Sequence, residues 1–403
     1  MSTDKKQIKI CMLMYNSFEK KGGISTRNRE IFKRISKENQ INVDVYFPVF
    51  NEEYNNKNIK YVKMPRFIYE NNILAYLLLI IKEFKNIIKY DIIYADCFYA
   101  LPLIITKKLL FKNYFVITTI HGPYLQEYWD NKYMNLSKLN KTKIKLKLFL
   151  GYFLEKITCN MSDMIFVIST HTKNIAIHHY HIDFNKIQVV PNGVDINRFK
   201  KYSLNKKEIL SKLNLNFPDN LFFFIFVGRI DPRKSLETLI NSSKIVREKN
   251  DKIVFLIIGE GENQYKYKLK QLVRDLDAPV LFLGSINDHQ LPLFYNLAYS
   301  TILPSLSEGQ GIVIMESMSC RTPVICSNIS GVKDVITNNE TGFIFSTQDY
   351  LGLSRIIDLV MNNSCLRDTV VNNAEHLIRN NYDWDIISSK ILKILLEIRK
   401  KDL

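Results

Sequence analysis

At 403 residues and 46% apolar content the chain is too long for one ordinary core and too apolar for disorder, so two domains of roughly 150–200 residues are expected. The net charge of +16, from 56 basic and 40 acidic residues, admits three readings: neutralised nucleic-acid phosphates, an anionic membrane surface, or drift in a chain rich in Ile, Lys and Asn throughout. The six cysteines (11, 97, 159, 320, 326, 365) form no C-x-x-C pair and have no His at zinc-ligand spacing, and the longest apolar stretch, ILAYLLLII (73–81), is far short of the about 20 residues a bilayer span needs, which excludes a zinc module and a spanning helix and points to a reduced, cytoplasmic protein.

The opening MSTDKKQIKICMLMY has a short apolar run and no small-residue cleavage site, so no signal peptide is expected there. IKICMLMY (8–15), VDVYFPV (43–49), DIIYAD (91–96), YFVITTI (114–120), DMIFVIS (163–169) and KIQVVP (186–191) read as strands. Each is a continuous apolar run, as a parallel strand covered on both faces should be. Helical patterns such as 24–38 and 73–89 separate them, giving a βαβ series. After a Lys/Asn-rich patch at 197–220 the pattern restarts with LFFFIFVGRI (221–230), then strands at 253–258, 280–283, 300–303, 323–326 and 342–345. Helices are expected at 235–249, 263–276, 288–297 and 312–320, and an amphipathic helix at 383–400 closes the chain. The fold class is therefore α/β, with two doubly wound parallel-sheet domains over 1–195 and 196–380, a linker near 192–200 and a terminal segment at 381–403. Two such domains facing each other leave a cleft, and open α/β sheets bind ligands outside the carboxyl ends of their strands, so chemistry is expected there.

Gly22 and Gly23 follow the first strand and precede a helix, where a bare backbone and a helix N-terminus favour an anion; a plain turn is the structural alternative. His121 ends the strand at 114–120, placed either to face a ligand or to cap. Arg229 and Lys234 lie five apart in GRIDPRKS across a Pro turn, and two fixed cations before a helix suit a diphosphate; two solvated charges are the alternative. ILPS (302–305) is a strand end, Glu308-Gly309-Gln310-Gly311 a tight loop, and a helix follows from Ile312. The N–H groups of Ile312 and Val313 then point at an anion, Glu316 one turn in accepts from a vicinal diol such as ribose, and Glu308 lies on the far side for a second polyhydroxyl group. Two-metal hydrolysis needs more carboxylate and His ligands than this loop has, and a glycosidase pair needs no phosphate-binding glycines.

With those residues in place, the chain resembles the GT-B retaining glycosyltransferases of family 4, the glycosyl transferases group 1. The resemblance runs over essentially the whole length. Its most specific element is the E-x7-E pair Glu308 and Glu316, supported in order by Gly22-Gly23, His121-Gly122, Ser169 ending FVIS, VVPNGVD (189–195), VGRIDPRKS (227–235), IIGEGE (257–262), LGSI (283–286) and TGFIF (341–345). It implies that Arg229 and Lys234 hold the donor diphosphate, that Gly23 lets the backbone approach it, and that Glu316 binds ribose. It implies that Glu308 and His121 contact the transferred sugar, that Gly284 to Ile286 bind the base, and that the final helix with Trp384 crosses back to the first domain. Gly22, Ser169, Gly311, Ile312 and Val313 complete the implied nucleotide-sugar site. The implied reaction retains the anomeric configuration without a protein nucleophile, by positioning and stabilisation of the departing diphosphate, with no metal and no cofactor beyond the nucleotide-sugar co-substrate. UDP is the first expectation for the base and GDP the second. Gln310 stands where Phe is often found and Ser235 where Gly or Asn is common, which leaves the sugar open.

SKLNKTKIKLKLFLGYFLEKI (137–157) interleaves lysines with Leu, Ile and Phe. In the family this region is a helix of the acceptor-binding domain, and it reads either as docking on an anionic membrane surface through Lys138 to Lys156 or as a solvated helix packed on the sheet. Docking implies a lipid-linked saccharide acceptor and a place on the inner face of the membrane. Against the transferase stand a nucleotide-sugar epimerase or another enzyme of this fold, and a nucleic-acid-binding protein suggested by charge alone, for which no helix-turn-helix, zinc finger or aromatic RNA-binding signature is present.

Overall fold

The computed structural model describes residues 7–14, 22–38, 40–49, 59–63, 72–125 and 138–401. They divide into two compact units, Met1–Asn192 with Trp384–Leu403, and Gly193–Asp383. Both boundaries lie three residues from the expected ones at 195/196 and 380/381. The reason is local: the Val194 N–H donates to the Tyr382 carbonyl and Val194 bridges Asp383, which ties both chain crossings into the second unit.

The first unit carries a parallel sheet of β1 (Ile8–Leu13), β2 (Ile41–Val49), β3 (Ile59–Lys63), β4 (Ile92–Asp96), β5 (Phe115–Ile120), β6 (Met164–Val167) and β7 (Ile187–Val189), in the order β3-β2-β1-β4-β5-β6-β7. Its helices are α1 (Gly23–Ile35), α2 (Asn72–Ile87), α3 (Leu101–Leu109), α4 (Lys138–Met161) and α5 (Thr170–His178). β3 was not among the expected strands: IKYVK is short and broken by lysines, so it carries no continuous apolar run. The end of the first expected strand, Tyr15, lies outside the described residues.

The second unit carries β8 (Phe222–Val227), β9 (Ile253–Ile258), β10 (Val280–Gly284), β11 (Ser300–Leu303), β12 (Val324–Ser327) and β13 (Phe343–Phe345), again parallel, in the order β10-β9-β8-β11-β12-β13. Between and after them run α6 (Lys206–Lys212), α7 (Leu236–Lys249), α8 (Asn263–Leu276), α9 (Leu291–Leu297), α10 (Ile312–Ser319), α11 (Tyr350–Asn362) and α12 (Ser364–Asn381). The helix expected at 288–297 is a 3-10 turn at Asp288–Gln290 followed by α9, because Pro292 in the first turn lacks an N–H and fixes a helix start. α11 and α12 lay outside the expected elements, their apolar positions being diluted by Asn, Asp and Arg.

Each sheet reverses its winding once. The chain lays β1, β2 and β3 outward and then places β4 on the other side of β1; it repeats this with β8, β9, β10 and β11. The points between β1 and β4, and between β8 and β11, are the topological switch points, where the loops diverge and leave room for a ligand.

The closing helix α13 (Trp384–Lys401) packs on α1 in the first unit. Trp384, Ile387, Ile391 and Leu395 are buried with Ile31, Phe32 and Ile35 in one cluster. Trp384 is the largest fully buried side chain among the described residues. Trp384→Ala should therefore cost about 3–5 kcal/mol of stability, read as a lower urea midpoint in circular dichroism.

Candidate functional site

In the second unit the switch point is bridged by an ion pair. Lys234 lies at the end of the Pro232–Lys234 turn after β8, and Glu308 lies in the loop after β11. The Lys234 Nζ donates to Glu308 Oε1, and both side chains are buried. Ser305 donates its hydroxyl to the same oxygen at 2.8 Å. The Leu306 N–H donates to the Arg233 carbonyl at 2.8 Å, so main chain and side chain join the same two loops. Burial alone would raise the Glu308 pKa, but Lys234, then Arg233, and the hydrogen bonds from Lys234 and Ser305 outweigh it and hold the carboxylate below its ordinary value.

The structure adds two contacts to the expected layout. Glu308 was expected across the anion site from Glu316, within reach of a second polyhydroxyl group; the structure pairs it with Lys234, one of the two expected cations. Arg229 and Lys234 were expected to act side by side, yet the Arg229 side chain is 71% exposed and its Nε donates to Asp231 at 2.8 Å. Lys234 is held inside, whereas Arg229 stands in solvent.

The loop then turns into α10 through Gly311, whose φ of 74° lies in the left-handed region that suits glycine. The helix start has no side-chain cap. The N–H groups of Ile312 and Val313 have no carbonyl one turn back to bond within the helix, whereas that of Ile314 donates to the Gly311 carbonyl at 3.0 Å. From behind, Gly331 presses on the loop so closely that a Cβ there would lie 1.8 Å from the Glu308 carbonyl oxygen. One turn into α10, Glu316 is half-buried and accepts from the Tyr295 hydroxyl at 2.8 Å. Burial raises its pKa from 4.5 to about 7, against the hydrogen bond from Tyr295 and the charge of Arg198, with Asp288 adding to the rise. Arg198 stacks its guanidinium 4.8 Å from the Phe199 ring centre and donates to the Asp288 carbonyl. The expected base-binding residues lie at the end of β10 and just after it: Gly284, the last residue of the strand and in the left-handed region at φ 72°, accepts from the Gly259 N–H at 2.8 Å, and Ile286 is half-buried.

In the first unit the switch point holds a second buried carboxylate. Asp96, the last residue of β4, accepts from His121 Nε2 at 2.7 Å on one oxygen and from Asn28 Nδ2 at 2.7 Å on the other. Asp96 and Asn28 are fully buried and His121 nearly so. The bond fixes the ring and places the proton on Nε2. Arg27, beside Asn28 on α1, is also buried and donates to the Pro191 carbonyl at 2.7 Å. Gly22 and Gly23 start α1 exposed and without a side-chain cap. Ser169 has a different task from the one expected. Its buried hydroxyl accepts from the Thr172 N–H at 3.1 Å and so caps α5, which leaves the side chain no surface for a ligand.

Sequence reasoning missed Asn28, Asp96, Arg198, Arg233, Tyr295, Ser305 and Gly331. Asp96 was visible as the polar end of DIIYAD, a carboxylate at the carboxyl end of a strand; Ser305 lies three residues before its partner Glu308, and the others gain their place from partners far along the chain. Among the described residues no group of three His, Cys, Asp or Glu is placed to hold a metal ion, and no helix is long and apolar enough to cross a membrane.

Known proteins resemble this chain in sequence and in fold. The family model described as Glycosyltransferase Family 4 matches residues 21–198, and the one described as Glycosyl transferases group 1 matches 208–383. The chain is 30% identical over 247 residues to the capsular polysaccharide biosynthesis glycosyltransferase CapM of Staphylococcus aureus, covering 60% of this chain and 63% of the relative. It is 31% identical over 238 residues to the UDP-Gal:alpha-D-GlcNAc-diphosphoundecaprenol alpha-1,3-galactosyltransferase of Escherichia coli, covering 58% of this chain and 57% of that one. The chain thus spans about three fifths of the length of these curated relatives. In fold it matches sucrose-phosphate synthase from Thermosynechococcus elongatus with a TM-score of 0.81 at 18% identity, over 98% of this chain and 100% of that one.

The raised Glu316 pKa makes a prediction about stability. In the unfolded chain Glu316 loses its proton near 4.5; in the folded protein it holds it to about 7. The folded state binds the proton more tightly, so this group's stabilising share is present below pH 4.5 and is lost as pH rises through about 7. The melting temperature of Glu316→Gln should therefore exceed that of the parent at pH 8, and the difference should shrink by pH 5.

Proposed function

We propose that this chain, which belongs to the family 4 glycosyltransferases of the glycosyl transferases group 1, transfers a hexose-type sugar from a nucleotide-sugar donor to a saccharide acceptor with retention at the anomeric carbon. The observation that carries the reading is the second unit's switch point. There a buried Lys234–Glu308 pair adjoins the uncapped start of α10, with Glu316 one turn further in.

The chemistry follows from donor and acceptor counts. The Lys234 ammonium has three N–H bonds and uses one on Glu308, so it can offer another to a diphosphate oxygen without leaving its partner. The first-turn N–H groups of α10 and the helix dipole add positive potential for the same anion. As the sugar–oxygen bond breaks, the charge that grows on the departing diphosphate meets donors already in place, which is electrostatic stabilisation without reorganisation. Glu308, kept ionised, accepts from hydroxyls of the transferred sugar. Glu316 accepts from the ribose, and the loop after β10 takes the base. His121 keeps the role the resemblance implies, contact with the transferred sugar's hydroxyls, its ring fixed by Asp96. Arg229, exposed and paired to Asp231 through Nε, keeps its terminal N–H groups for a diphosphate oxygen.

UDP is the proposed base, supported by the UDP-Gal donor in the name of the Escherichia coli relative. That name also gives a diphosphoundecaprenol acceptor, and the Staphylococcus aureus relative is named for capsular polysaccharide. The proposed acceptor here is accordingly a lipid-linked saccharide met at a membrane surface from the cytoplasmic side.

The test is a thermal-shift screen against UDP- and GDP-sugars, without added metal, on the parent, Lys234→Met and Glu316→Ala. A ligand at about 100 times its Kd stabilises by about 2.7 kcal/mol, a rise of several degrees. The expected result is a rise with a UDP-sugar in the parent that is lost in both variants, each compared with its own unliganded melt. Lys234→Met also leaves Glu308 buried without its cation, so its baseline melt should drop, by about 3–5 kcal/mol in stability. No rise with any nucleotide sugar in folded parent protein refutes the donor site.

A further inference from the structure

We propose that α2, α3 and α4 of the first unit form one face that docks on an anionic phospholipid membrane, with Phe111 as the residue that enters the lipid. The proposal draws its purpose from the lipid-linked acceptor reading, but its geometry stands apart from the donor site.

The three helices pack together over one cluster, through Leu79 and Ile80 of α2, Leu103 and Ile104 of α3 and Leu154 of α4. Their core side is thus already satisfied, yet their outer side is also apolar. Ten of the sixteen large hydrophobic residues that the described chain exposes lie on these helices and the turn after α3. Phe111 is 94% exposed, Leu109 71%, Ile81 70% and Leu146 68%. On α4, Leu146, Phe149, Leu150 and Phe153 recur at helical spacing, so one stripe faces solvent. Apolar residues scattered singly need no explanation, but so many on one face mark an interaction surface.

Phe111 has a second peculiarity. It follows α3 with a φ of 51°, in the left-handed region. The Lys112 N–H reaches back to the Lys107 carbonyl at 3.1 Å, the long bond of a Schellman helix end. Glycine is the usual occupant of the left-handed position in that motif, because any Cβ is strained there. Here the place is held by a bulky ring that touches almost nothing. Neither helix termination nor core packing accounts for an aromatic side chain at this point.

Charge selects the partner. Among the described side chains at 77–87, 101–112 and 145–161 the only acids are Glu83 and Glu155, and Glu155 is fully buried on Tyr180 and the Tyr124 N–H. Lys82, Lys85, Lys108, Lys112, Lys145 and Lys147 are exposed around the apolar residues. A basic rim about an apolar centre suits anionic headgroups over acyl chains. This revises the expected docking element. The side chains of Lys138, Lys141 and Lys143 lie outside the described residues, and on the described part of α4 the outward stripe is apolar, with α2 and α3 completing the face.

The experiment is co-sedimentation of the full chain with vesicles of phosphatidylcholine alone and of phosphatidylcholine with about one third phosphatidylglycerol. The parent should pellet with the anionic vesicles, weakly with the neutral ones, and less as salt is raised. Phe111→Gly should lower the partition about ten- to a hundredfold, since one phenyl ring no longer leaves water. Its melting temperature should hold or rise, because glycine relieves the left-handed strain, so lost binding cannot be blamed on misfolding. Lys108→Gln with Lys112→Gln and Lys147→Gln should lower it on the order of a hundredfold at low salt. The same variants should keep the parent's nucleotide-sugar thermal shift, which separates this proposal from the donor reading. Absence of parental binding to anionic vesicles overturns the proposal, as does undiminished binding by Phe111→Gly. A lipid-free dimer that Phe111→Gly dissolves also overturns it, by showing that a second copy covers the face.

Discussion

The second unit depends on one buried contact, the Lys234–Glu308 ion pair. A pair of opposite charges removed from water roughly breaks even against apolar residues of the same size, so stability alone does not explain it. Position does. The two residues lie in the loops that follow the neighbouring strands β8 and β11, and the bond ties those loops together. With it, and with the Leu306 N–H on the Arg233 carbonyl, the chain after β11 has one course into α10. Gly331 closes that course from behind by allowing contact too near for any side chain. The direction of the helix, its uncapped N–H groups and the place of Glu316 all follow from the pair.

The first unit solves the same problem with different groups. Its sheet reverses between β1 and β4, and there too a buried carboxylate at a strand end is bound from both sides. Asp96 takes an amide from α1 and a ring nitrogen from the residue after β5, so it joins three segments where Glu308 joins two. A carboxylate in such a place must have its oxygens satisfied, since an unpaired buried one is costly. Once satisfied, it leaves His121 one orientation. Such support matters wherever a side chain has to meet a ligand in one geometry, because a small misplacement weakens the contact.

These arrangements were only partly legible in the sequence. The strands were plain, since a parallel strand covered on both faces is a continuous apolar run and FFFIFV has no other use. β3 escaped because lysines interrupt it. The site was legible as a set of residues at strand ends but not as a set of contacts. Lys234 and Glu308 are 74 residues apart, and nothing local shows that they meet. Arg229 was read as a partner of Lys234, but its side chain is exposed and its Nε donates to Asp231, two residues on. Ser169 sits at a strand end like the others, but its hydroxyl faces its own helix, which spacing along the chain does not show. The outward apolar face of α2, α3 and α4 was hidden for a further reason: periodicity reports that a stripe is apolar, not whether the core has room for it.

The E-x7-E spacing carries two carboxylates into opposite environments. Glu308 meets Lys234 and is held ionised; Glu316 meets a tyrosine hydroxyl and burial, and its pKa rises to about 7. On the proposed reading, the Lys234–Glu308 pair has no net charge and acts on a diphosphate only at close range, through the remaining N–H bonds of the lysine beside the helix start. Glu316, in turn, opposes an anion if it is charged and serves a ribose best if it is. On the proposed reading, a carboxyl whose pKa burial raises to about 7 is a compromise between those demands, because a bound diol that donates to it lowers that pKa and favours the charged form. The two acids are separated by eight positions of one loop and helix, and that separation lets one be a fixed part of the frame and the other respond to what binds.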